Sequence, residues 1–383
     1  MAKLEADWLA SDETRAVFAV LEDAGHQVFA VGGCVRNALM GEPVRDIDLS
    51  TDARPDRVLG LAKSAGFQAV PTGIDHGTVT VLSGGEPYEI TTFRRDVETD
   101  GRRAVVAFSD RIEDDARRRD FTMNAIYADG RGDVHDPLDG LPDLKARRVR
   151  FIEDPIQRIR EDYLRSLRYF RFHAWYGDQG EGFDVDALDA IARNVDGLAS
   201  LSKERVGSEL KRLLEAPNPA TAIAGMRSTG VLAAVLPGAN DGALAPLVHV
   251  EEQAGCAPNS IRRLAVLGGE HPAEDLRLSK KEAEGLRDLK TAAGLSPGEA
   301  GYRFGADLGC DAVLALAAST GVPFDPETLG LVKHGAAQVF PVKAADLMPA
   351  LEGVALGAAL KRLEADWIAS NFALGKDELV ASL

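Results

Sequence analysis

The sequence predicts an α+β fold, with a β-sheet and its flanking helices in the first ~150 residues and helices throughout the remainder. Three observations support this prediction. In the first part, short apolar or alternating runs with the period of strands alternate with helical stretches. After Asp154 strand signals nearly vanish, and apolar residues recur at the spacing of one helix face. Proline and glycine separate the helical stretches of this second part from one another.

The first part contains predicted elements of both types. In chain order they are a helix at 8–21, strands at 27–31 and 46–50, with a short helix at 34–40 between them, a helix at 55–65, and strands near 67–70, 78–82 and 88–92. Gly32-Gly33 ends the first strand, and the stretch 83–87 joins the last two strands as a hairpin. Asp46 and Asp48 are two residues apart on one strand, so both carboxylates point to the same face.

The helical signal of the second part is strongest between Ile156 and Ala174. Six apolar or aromatic residues there are spaced by 3, 4, 4, 3 and 4 positions, which is one face of a continuous helix. Further helices are predicted near 185–195, 203–214, 219–229, 260–267, 280–293, 312–320 and 355–372.

Composition limits the class of protein. A chain of 383 residues allows two or three domains, and 45% hydrophobic with 27% charged residues is typical of a soluble globular protein. Disordered, collagenous and disulfide-rich proteins are therefore excluded. The net charge of −16 argues against a uniformly basic, nucleic-acid-binding surface. Binding follows local patches, however, and residues 147–171 contain eight arginines against four acidic residues.

The three cysteines, Cys34, Cys256 and Cys310, form no CxxC pair and no plausible disulfide framework. A reducing, cytoplasmic compartment is therefore expected. The N-terminal segment carries acidic residues and lacks the apolar core of a signal peptide. No window approaches 18 uninterrupted apolar residues, so no membrane span is expected.

The most informative segment combines a glycine turn with two carboxylates. Gly32-Gly33 lets backbone N–H groups approach an anion closely, and Arg36 adds a charge-assisted contact to the same anion. Two close carboxylates at Asp46 and Asp48 favour a hard divalent cation, such as Mg²⁺ shared with substrate phosphates. Together they predict a triphosphate beside a two-metal centre. Taken singly, a Gly-Gly is usually only a turn and an Asp-x-Asp only a solvated strand end.

These residues resemble the signature of the tRNA nucleotidyltransferase (CCA-adding) and bacterial poly(A) polymerase family, class II of the polymerase-β-like nucleotidyltransferase superfamily. The family pattern is Gly-Gly-x-Val-Arg-Asp followed by Asp-x-Asp. Here Asn37 replaces the family's usual Asp. Glu89 is the candidate for a third carboxylate on a neighbouring strand, and its alternative is an ordinary edge-strand glutamate.

Further motifs extend the resemblance over about residues 27–225. The segment 118–125, Arg-Arg-Asp-Phe-Thr-Met-Asn-Ala, matches the family's second motif, in which Arg118, Arg119, Asp120 and Asn124 would contact the nucleotide's phosphates and ribose. The segment 76–81, beginning at His76, is similar to the strand after the metal strand. The polar segment 94–103 resembles the family's flexible specificity loop, and its alternative is a solvated connection.

A last motif, Arg160-Glu-Asp-x-x-Arg165, resembles the one that selects CTP and ATP. The resemblance implies that Asp162 and Arg165 read the base, while Arg168 and Arg171 face the triphosphate or the neck lining. On the predicted helix Asp162 and Arg165 are neighbours. The alternative is a surface salt bridge of little energy.

The resemblance implies a nucleotidyltransferase head with a small mixed β-sheet at 1–145, a helical neck at 146–225, and a helical body and tail at 226–383 that binds tRNA. Its activity would be template-independent addition of C, C and A to the tRNA 3′ end from CTP and ATP with Mg²⁺, without a membrane partner. Asp46, Asp48 and Glu89 would be catalytic. The alternatives are a poly(A) polymerase, a partially adding enzyme, or a catalytically silent RNA- or nucleotide-binding protein.

Overall fold

The computed structural model describes residues 2–74, 77–100 and 103–383. His76 and loop residues 101–102 therefore lie outside the described residues. The chain divides into two compact units, one formed by Met1–Leu201 with Ser228–Ala234, and the other by Ser202–Arg227 with Val235–Leu383. Strands lie in the first unit, and the second is helical. The α+β prediction is confirmed.

The nine described strands are β1 (Val28–Val31), β2 (Ile47–Thr51), β3 (Gln68–Gly73), β4 (Thr78–Ser83), β5 (Glu86–Thr92), β6 (Arg94–Asp100), β7 (Arg103–Phe108), β8 (Tyr127–Ala128) and β9 (Val134–His135). Helices of the first unit are α1 (Asp7–Ala10), α2 (Asp12–Glu22), α3 (Gly33–Met40), α4 (Pro55–Ser64), α5 (Ile112–Arg117), α6 (Gly140–Lys145), α7 (Pro155–Glu161), α8 (Leu164–Tyr176) and α9 (Val185–Arg193).

The remaining helices follow after residue 202. They are α10 (Lys203–Leu214), α11 (Ala220–Ser228), α12 (Val231–Val235), α13 (Leu244–Ala254), α14 (Ser260–Leu267), α15 (Pro272–Asp275), α16 (Lys280–Ala292), α17 (Pro297–Phe304), α18 (Ala306–Thr320), α19 (Glu327–Ala336), α20 (Ala344–Leu347), α21 (Gly353–Ala369) and α22 (Lys376–Ala381). None of the helices in the described part of the chain is long and apolar enough to cross a membrane.

The main sheet has seven strands in the order β3-β4-β5-β2-β1-β8-β9. Most neighbours are antiparallel, but β2 and β5 are parallel, so the sheet is mixed. In this parallel pair Asp48 lies opposite Glu89. Because β5 is also paired with β4, Glu89 lies on an interior strand, and the edge-strand alternative is wrong.

Local sequence explains the elements around the carboxylates. All four residues of β1 are buried, as the apolar run predicts for a central strand. The chain leaves β1 through Gly32, whose φ of 74° favours glycine, and α3 ends at Gly41 in the left-handed conformation. Burial alternates along β4, which is the strand period.

The segment 94–103 differs from the loop that the sequence favours. It forms β6 and the start of β7, an antiparallel two-stranded sheet separate from the main one. Charges of alternating sign along the segment suggest a solvated connection. The segment also contains the β-favouring residues Val97 and Thr99, and Val105 follows shortly after it.

The continuous helix predicted at 156–174 is interrupted. α7 ends at Glu161, Asp162 is extended with φ −155° and ψ 105°, and α8 begins at Leu164. The carboxylate of Asp162 accepts a hydrogen bond from the Leu164 N–H at 3.1 Å, so it caps the second helix. Apolar spacing continues across the break, which is why periodicity alone does not reveal it.

The apolar-period test does not find α17 and α19, which contain two glycines each. A Cβ on Gly301 would lie 1.9 Å from the Val332 carbonyl oxygen, and one on Gly335 would lie 2.0 Å from that of Gly298. These glycines let α17 and α19 approach backbone to backbone. The tail core forms around Leu363 and Trp367, which confirms Trp367 as a packing residue.

Candidate functional site

The glycine turn between β1 and α3 is bordered by two guanidinium groups. A Cβ on Gly32 would lie 3.3 Å from Nη1 of Arg119, and one on Gly33 would lie 3.9 Å from Nη2 of Arg36. A side chain at position 32 would therefore crowd Arg119. The start of a helix also favours anions, so the turn, the helix and both arginines direct positive potential to one place.

Arg36 is 5% exposed and held by amides and aromatic rings. Its Nε and Nη2 donate to Oδ1 of Asn37 at 3.1 and 2.7 Å, and its Nη1 donates to Oδ1 of Asn124 at 2.6 Å. The guanidinium carbon lies 3.9 Å from the centre of the Tyr176 ring. Burial lowers the pKa of Arg36. Asn37 thus orients Arg36 although it is not the Asp of the family pattern.

The carboxylate of Asp48 is acted on electrostatically by those of Glu89 and Asp46. Burial raises the pKa of Asp48, and the neighbouring charges of Glu89 and Asp46 raise it further, while Arg119 lowers it. Asp46 is exposed directly before β2, and Asp48 is half-buried within it. Across the described ranges, no three histidine, cysteine or acidic side chains form a ready-made metal site.

Arg119 is held by Asp115, a residue that the motifs do not include. Oδ2 of the fully buried Asp115 accepts from Nη2 of Arg119 at 3.0 Å and from the Tyr127 hydroxyl at 2.9 Å. It also accepts from the hydroxyl of Ser50, two residues after Asp48, at 3.2 Å. Burial raises the pKa of Asp115, but Arg119 and Arg118 outweigh this and hold it below its usual value. The i,i+4 spacing of Asp115 and Arg119 is the sequence signal for this pair.

Asp120 and Asn124 connect the glycine turn to helix α8. Oδ2 of Asp120 accepts from Nε and Nη2 of Arg168 at 2.8 and 2.5 Å, and Oδ1 accepts from Asn124 at 2.8 Å. Since Asn124 also binds Arg36, a continuous chain of hydrogen bonds runs from Arg168 to Asn37. In this arrangement Asp120 and Asn124 bind protein groups and position two arginines.

Arg165 is held by Glu161 rather than by the helical pairing with Asp162 that the sequence suggests. Its Nη1 donates to Oε2 of Glu161 at 2.6 Å and to the Arg158 carbonyl at 2.8 Å, and its Nη2 reaches the Arg118 carbonyl at 3.3 Å. Arg158 pairs with the same Glu161 oxygen. Of the two predicted selecting residues, Arg165 is therefore tied to the backbone of the second motif, while Asp162 caps α8.

The remaining predicted residues lie in the same unit. Nη1 of Arg118 is 3.9 Å from Oδ1 of Asp115. The guanidinium carbons of three arginines lie near the ring centre of Phe172: Arg171 at 4.8 Å, Arg36 at 5.1 Å and Arg168 at 5.4 Å. Phe172 therefore gathers three guanidinium groups around one ring. Sequence reasoning did not identify Phe172, Tyr176, Asp115 or Glu161.

Cys34 lies within the glycine turn but is not a nucleophile. Its thiol donates to the Val31 carbonyl oxygen at 3.3 Å and is fully enclosed. Burial raises its pKa to about 11, so the thiol stays protonated at neutral pH. The expectation of a small packing residue agrees with this environment.

Two family profiles and a solved structure match parts of this chain. The profile described as "Poly A polymerase head domain" matches residues 28–150, and the one described as "Probable RNA and SrmB- binding site of polymerase A" matches residues 182–242. The chain is 28% identical to the Bacillus stearothermophilus CCA-adding enzyme in its crystal structure with CTP. The TM-score is 0.74, with 94% of this chain and 92% of the other covered.

The chain contains a poly(A) polymerase head domain at residues 28–150.

Curated relatives of the family align over the first part of the chain. The human "CCA tRNA nucleotidyltransferase 1, mitochondrial" is 44% identical over 190 residues, which are 49% of this chain and 44% of that protein. The "CCA-adding enzyme" of Geobacillus thermodenitrificans is 38% identical over 216 residues, 56% of this chain and 52% of that protein. The chain thus spans about half the length of the curated relatives it matches.

Proposed function

We propose that the protein is a CCA-adding tRNA nucleotidyltransferase that adds C, C and A to the 3′ end of tRNA from CTP and ATP and releases pyrophosphate. One observation supports it above the others: Arg36 and Arg119 border the Gly32-Gly33 turn, and Arg119 acts electrostatically on Asp48. This arrangement supports the proposal, because nucleotidyl transfer requires phosphate-binding groups beside metal-binding carboxylates.

A divalent cation, in our proposal Mg²⁺, would be held by Asp46 and Asp48. The desolvated carboxylate of Asp48, repelled by Glu89 and Asp46, fits such an ion because a cation removes both penalties. Two carboxylates completed by substrate phosphate oxygens are a donor set typical of Mg²⁺. When bound, the metal would activate the RNA 3′-hydroxyl and stabilise the leaving pyrophosphate. We propose Glu89 as the third catalytic carboxylate, since it lies opposite Asp48 in the sheet.

The protein's own groups would bind and orient the triphosphate. Gly32 and Gly33 permit close approach of the chain, and Arg36 and Arg119 supply charge-assisted hydrogen bonds. Arg118, Arg168 and Arg171 add to the positive potential. Asp120 and Asn124 hold Arg168 and Arg36 in place, and this would preserve their directions while the nucleotide exchanges.

Base selection would fall to Asp162 and Arg165. Together they offer carboxylate acceptors and guanidinium donors, which can read the Watson–Crick edge of cytosine or adenine without a template. Anchoring by Glu161 supports this role, because a freely rotating arginine could not discriminate between donor and acceptor patterns.

We propose the tRNA 3′ end and acceptor stem as the macromolecular partner. The exposed part of the segment 147–171 is the proposed contact surface, and affinity should fall as salt rises. We also propose a reducing, cytoplasmic location, which agrees with the three free cysteines. The human relative named above carries "mitochondrial" in its name, so fractionation of the producing cells is the appropriate check.

One assay tests the function. The purified protein is incubated with a tRNA lacking its 3′ end, Mg²⁺ and each labelled NTP, singly and together. We expect two C followed by one A. Long A tracts would indicate a poly(A) polymerase, and addition of C only or A only would indicate a partially adding enzyme. No incorporation would indicate a silent binding protein.

A further inference from the structure

The side chain of Asn37 uses both ends of its amide. Its Oδ1 accepts two hydrogen bonds from Arg36, at 3.1 and 2.7 Å, and its Nδ2 donates to the carbonyl oxygen of Pro43 at 2.8 Å. The backbone carbonyl of Asn37 also accepts from the Glu42 N–H at 2.8 Å. Asn37 therefore fixes Arg36 and, at the same time, the short connection that leads to Asp46.

The side chains that accept hydrogen bonds from Arg36 do not neutralise its charge, because they are uncharged amides. Both side chains that accept hydrogen bonds from it in the described structure, Asn37 and Asn124, are amides. The carboxylate that acts on it electrostatically, Asp120, is itself bonded to Arg168 and Asn124. A guanidinium has five N–H donors, and these contacts use three of them. One N–H on Nη1 and one on Nη2 are not used by these contacts, and Nη2 is the group beside Gly33.

We propose that Asn37 is a positioning residue that aims Arg36 at the phosphate groups of a nucleoside triphosphate while leaving its positive charge uncompensated. This inference rests on the proposed function, since it names the ligand of the same turn. It concerns a residue at which the chain departs from its family's sequence pattern.

An aspartate at position 37 would change both the net charge around Arg36 and the hydrogen bond to the Pro43 carbonyl. It would accept from Arg36 but form an ion pair, which reduces the attraction of the guanidinium for phosphate. It could not donate to the Pro43 carbonyl, and its charge would face that oxygen instead. A serine would remain neutral but would lose the reach and the donor of the amide.

The test measures binding of inorganic tripolyphosphate in Mg²⁺ buffer by calorimetry at several salt concentrations, without RNA. We expect Asn37→Asp to weaken binding about fivefold, equivalent to about 1 kcal/mol, and to make it less sensitive to salt. Asn37→Ser should weaken binding with the salt dependence of the wild type. Asn218→Asp, the same change at an exposed loop position, should match the wild type. Melting temperatures identify any variant that is unfolded.

The inference would be overturned if the Asn37→Asp variant bound tripolyphosphate with the affinity and salt dependence of the wild type. If Asn37→Asp does not fold, Asn37→Ser decides, because unchanged affinity in that variant also contradicts a positioning role. Failure of the wild type to bind tripolyphosphate would refute the ligand assignment. Since no base, RNA or transfer step enters this assay, a protein that binds as expected but adds no nucleotide refutes the proposed function alone.

Discussion

Glu161 and Arg165 are joined across the break between α7 and α8, with Oε2 of Glu161 accepting a hydrogen bond from Nη1 of Arg165 at 2.6 Å. The same oxygen pairs with Arg158, which donates to the Arg118 and Arg119 carbonyl oxygens at 2.5 and 2.8 Å. The direction of the Arg165 side chain thus depends on Glu161, whereas the sequence predicts Asp162, the next residue, as its partner.

Glu161→Gln should broaden nucleotide choice. The neutral amide weakens the hold on Arg165, so UTP and GTP should be incorporated about tenfold more often relative to CTP and ATP. Arg165→Ala should have a larger effect on selectivity while some chemistry remains. Competition assays with mixed NTPs measure both. The control is Asp189→Asn, which breaks an exposed i,i+4 pair with Arg193. If Glu161→Gln shows the same nucleotide selectivity as this control, Glu161 has no role in nucleotide selection.

Asp48→Asn should separate activity from stability. It should reduce incorporation below about 1% of wild type, because the proposed metal ligand is lost. The pKa of Asp48 is raised in the folded protein, so its ionised form is disfavoured there and opposes folding at neutral pH. The melting temperature without metal should therefore stay level or rise. Asp46→Ala should also abolish incorporation, and retained turnover in either variant would refute the metal assignment.

Tyr127→Phe should loosen Arg119 without unfolding the head. It removes hydrogen bonds to Asp115 and Arg119, at a cost of about 1–2 kcal/mol of stability. The KM for CTP should rise several-fold. Tyr169→Phe removes a buried hydroxyl bonded to the Asp184 N–H and should cost similar stability without changing KM. Equal KM values for the two variants would show that Arg119 does not depend on Tyr127.

The acid stability of the protein should depend on Asp120. Although burial raises its pKa, the Arg168 guanidinium and the Asn124 amide hold it well below the usual range. A carboxyl whose pKa is depressed on folding stabilises the protein above its unfolded pKa of about 4, and this contribution fades as pH falls below it. Asp120→Asn should therefore melt lower than wild type at pH 7, and the difference should shrink below about pH 4. A pH-independent difference would contradict this.

Glu251→Gln should destabilise the second unit. Glu251 is 2% exposed and pairs with Arg262 and Arg263, each at 2.7 Å. The change deprives the buried Arg263 of the carboxylate it pairs with, while Arg262 keeps its pair with Asp311, and it should cost about 3–5 kcal/mol in denaturant unfolding. Glu204→Gln breaks an exposed pair with Arg277 and should cost less than about 1 kcal/mol. Similar losses in both variants would exclude the buried cluster as a stabilising centre.

Sequence reasoning located the elements whose pattern is local. β1 and β2 lie within one residue of their predicted positions, and the predicted bounds of α10 and α14 match the structure. Their burial follows directly from apolar runs and alternation. The break at Asp162 depends on one carboxylate binding one N–H, and apolar spacing carries no record of such a bond.

The arginine-rich segment illustrates a different limit. Residues 147–171 carry an excess of positive charge, but at least five of their arginines pair with carboxylates. Arg148 and Arg150 both bind the buried Asp143, and Arg168 binds Asp120. Much of the charge therefore organises the unit itself, a distinction that depends on contacts between residues distant in sequence.

The unit that carries the candidate site draws on two stretches of the chain, because Ser228–Ala234 join it after the chain has entered the second unit. Val231 and Leu232 in this segment are buried. In a chimaera made with a relative by a single crossover near residue 202, residues 1–201 would come from one parent and 228–234 from the other. The segment would then pack in a core from a different protein. Recombination that preserves the unit needs three crossovers, one near residue 202 and one on each side of 228–234. Exchange of the second unit between relatives is therefore constrained at the level of the gene.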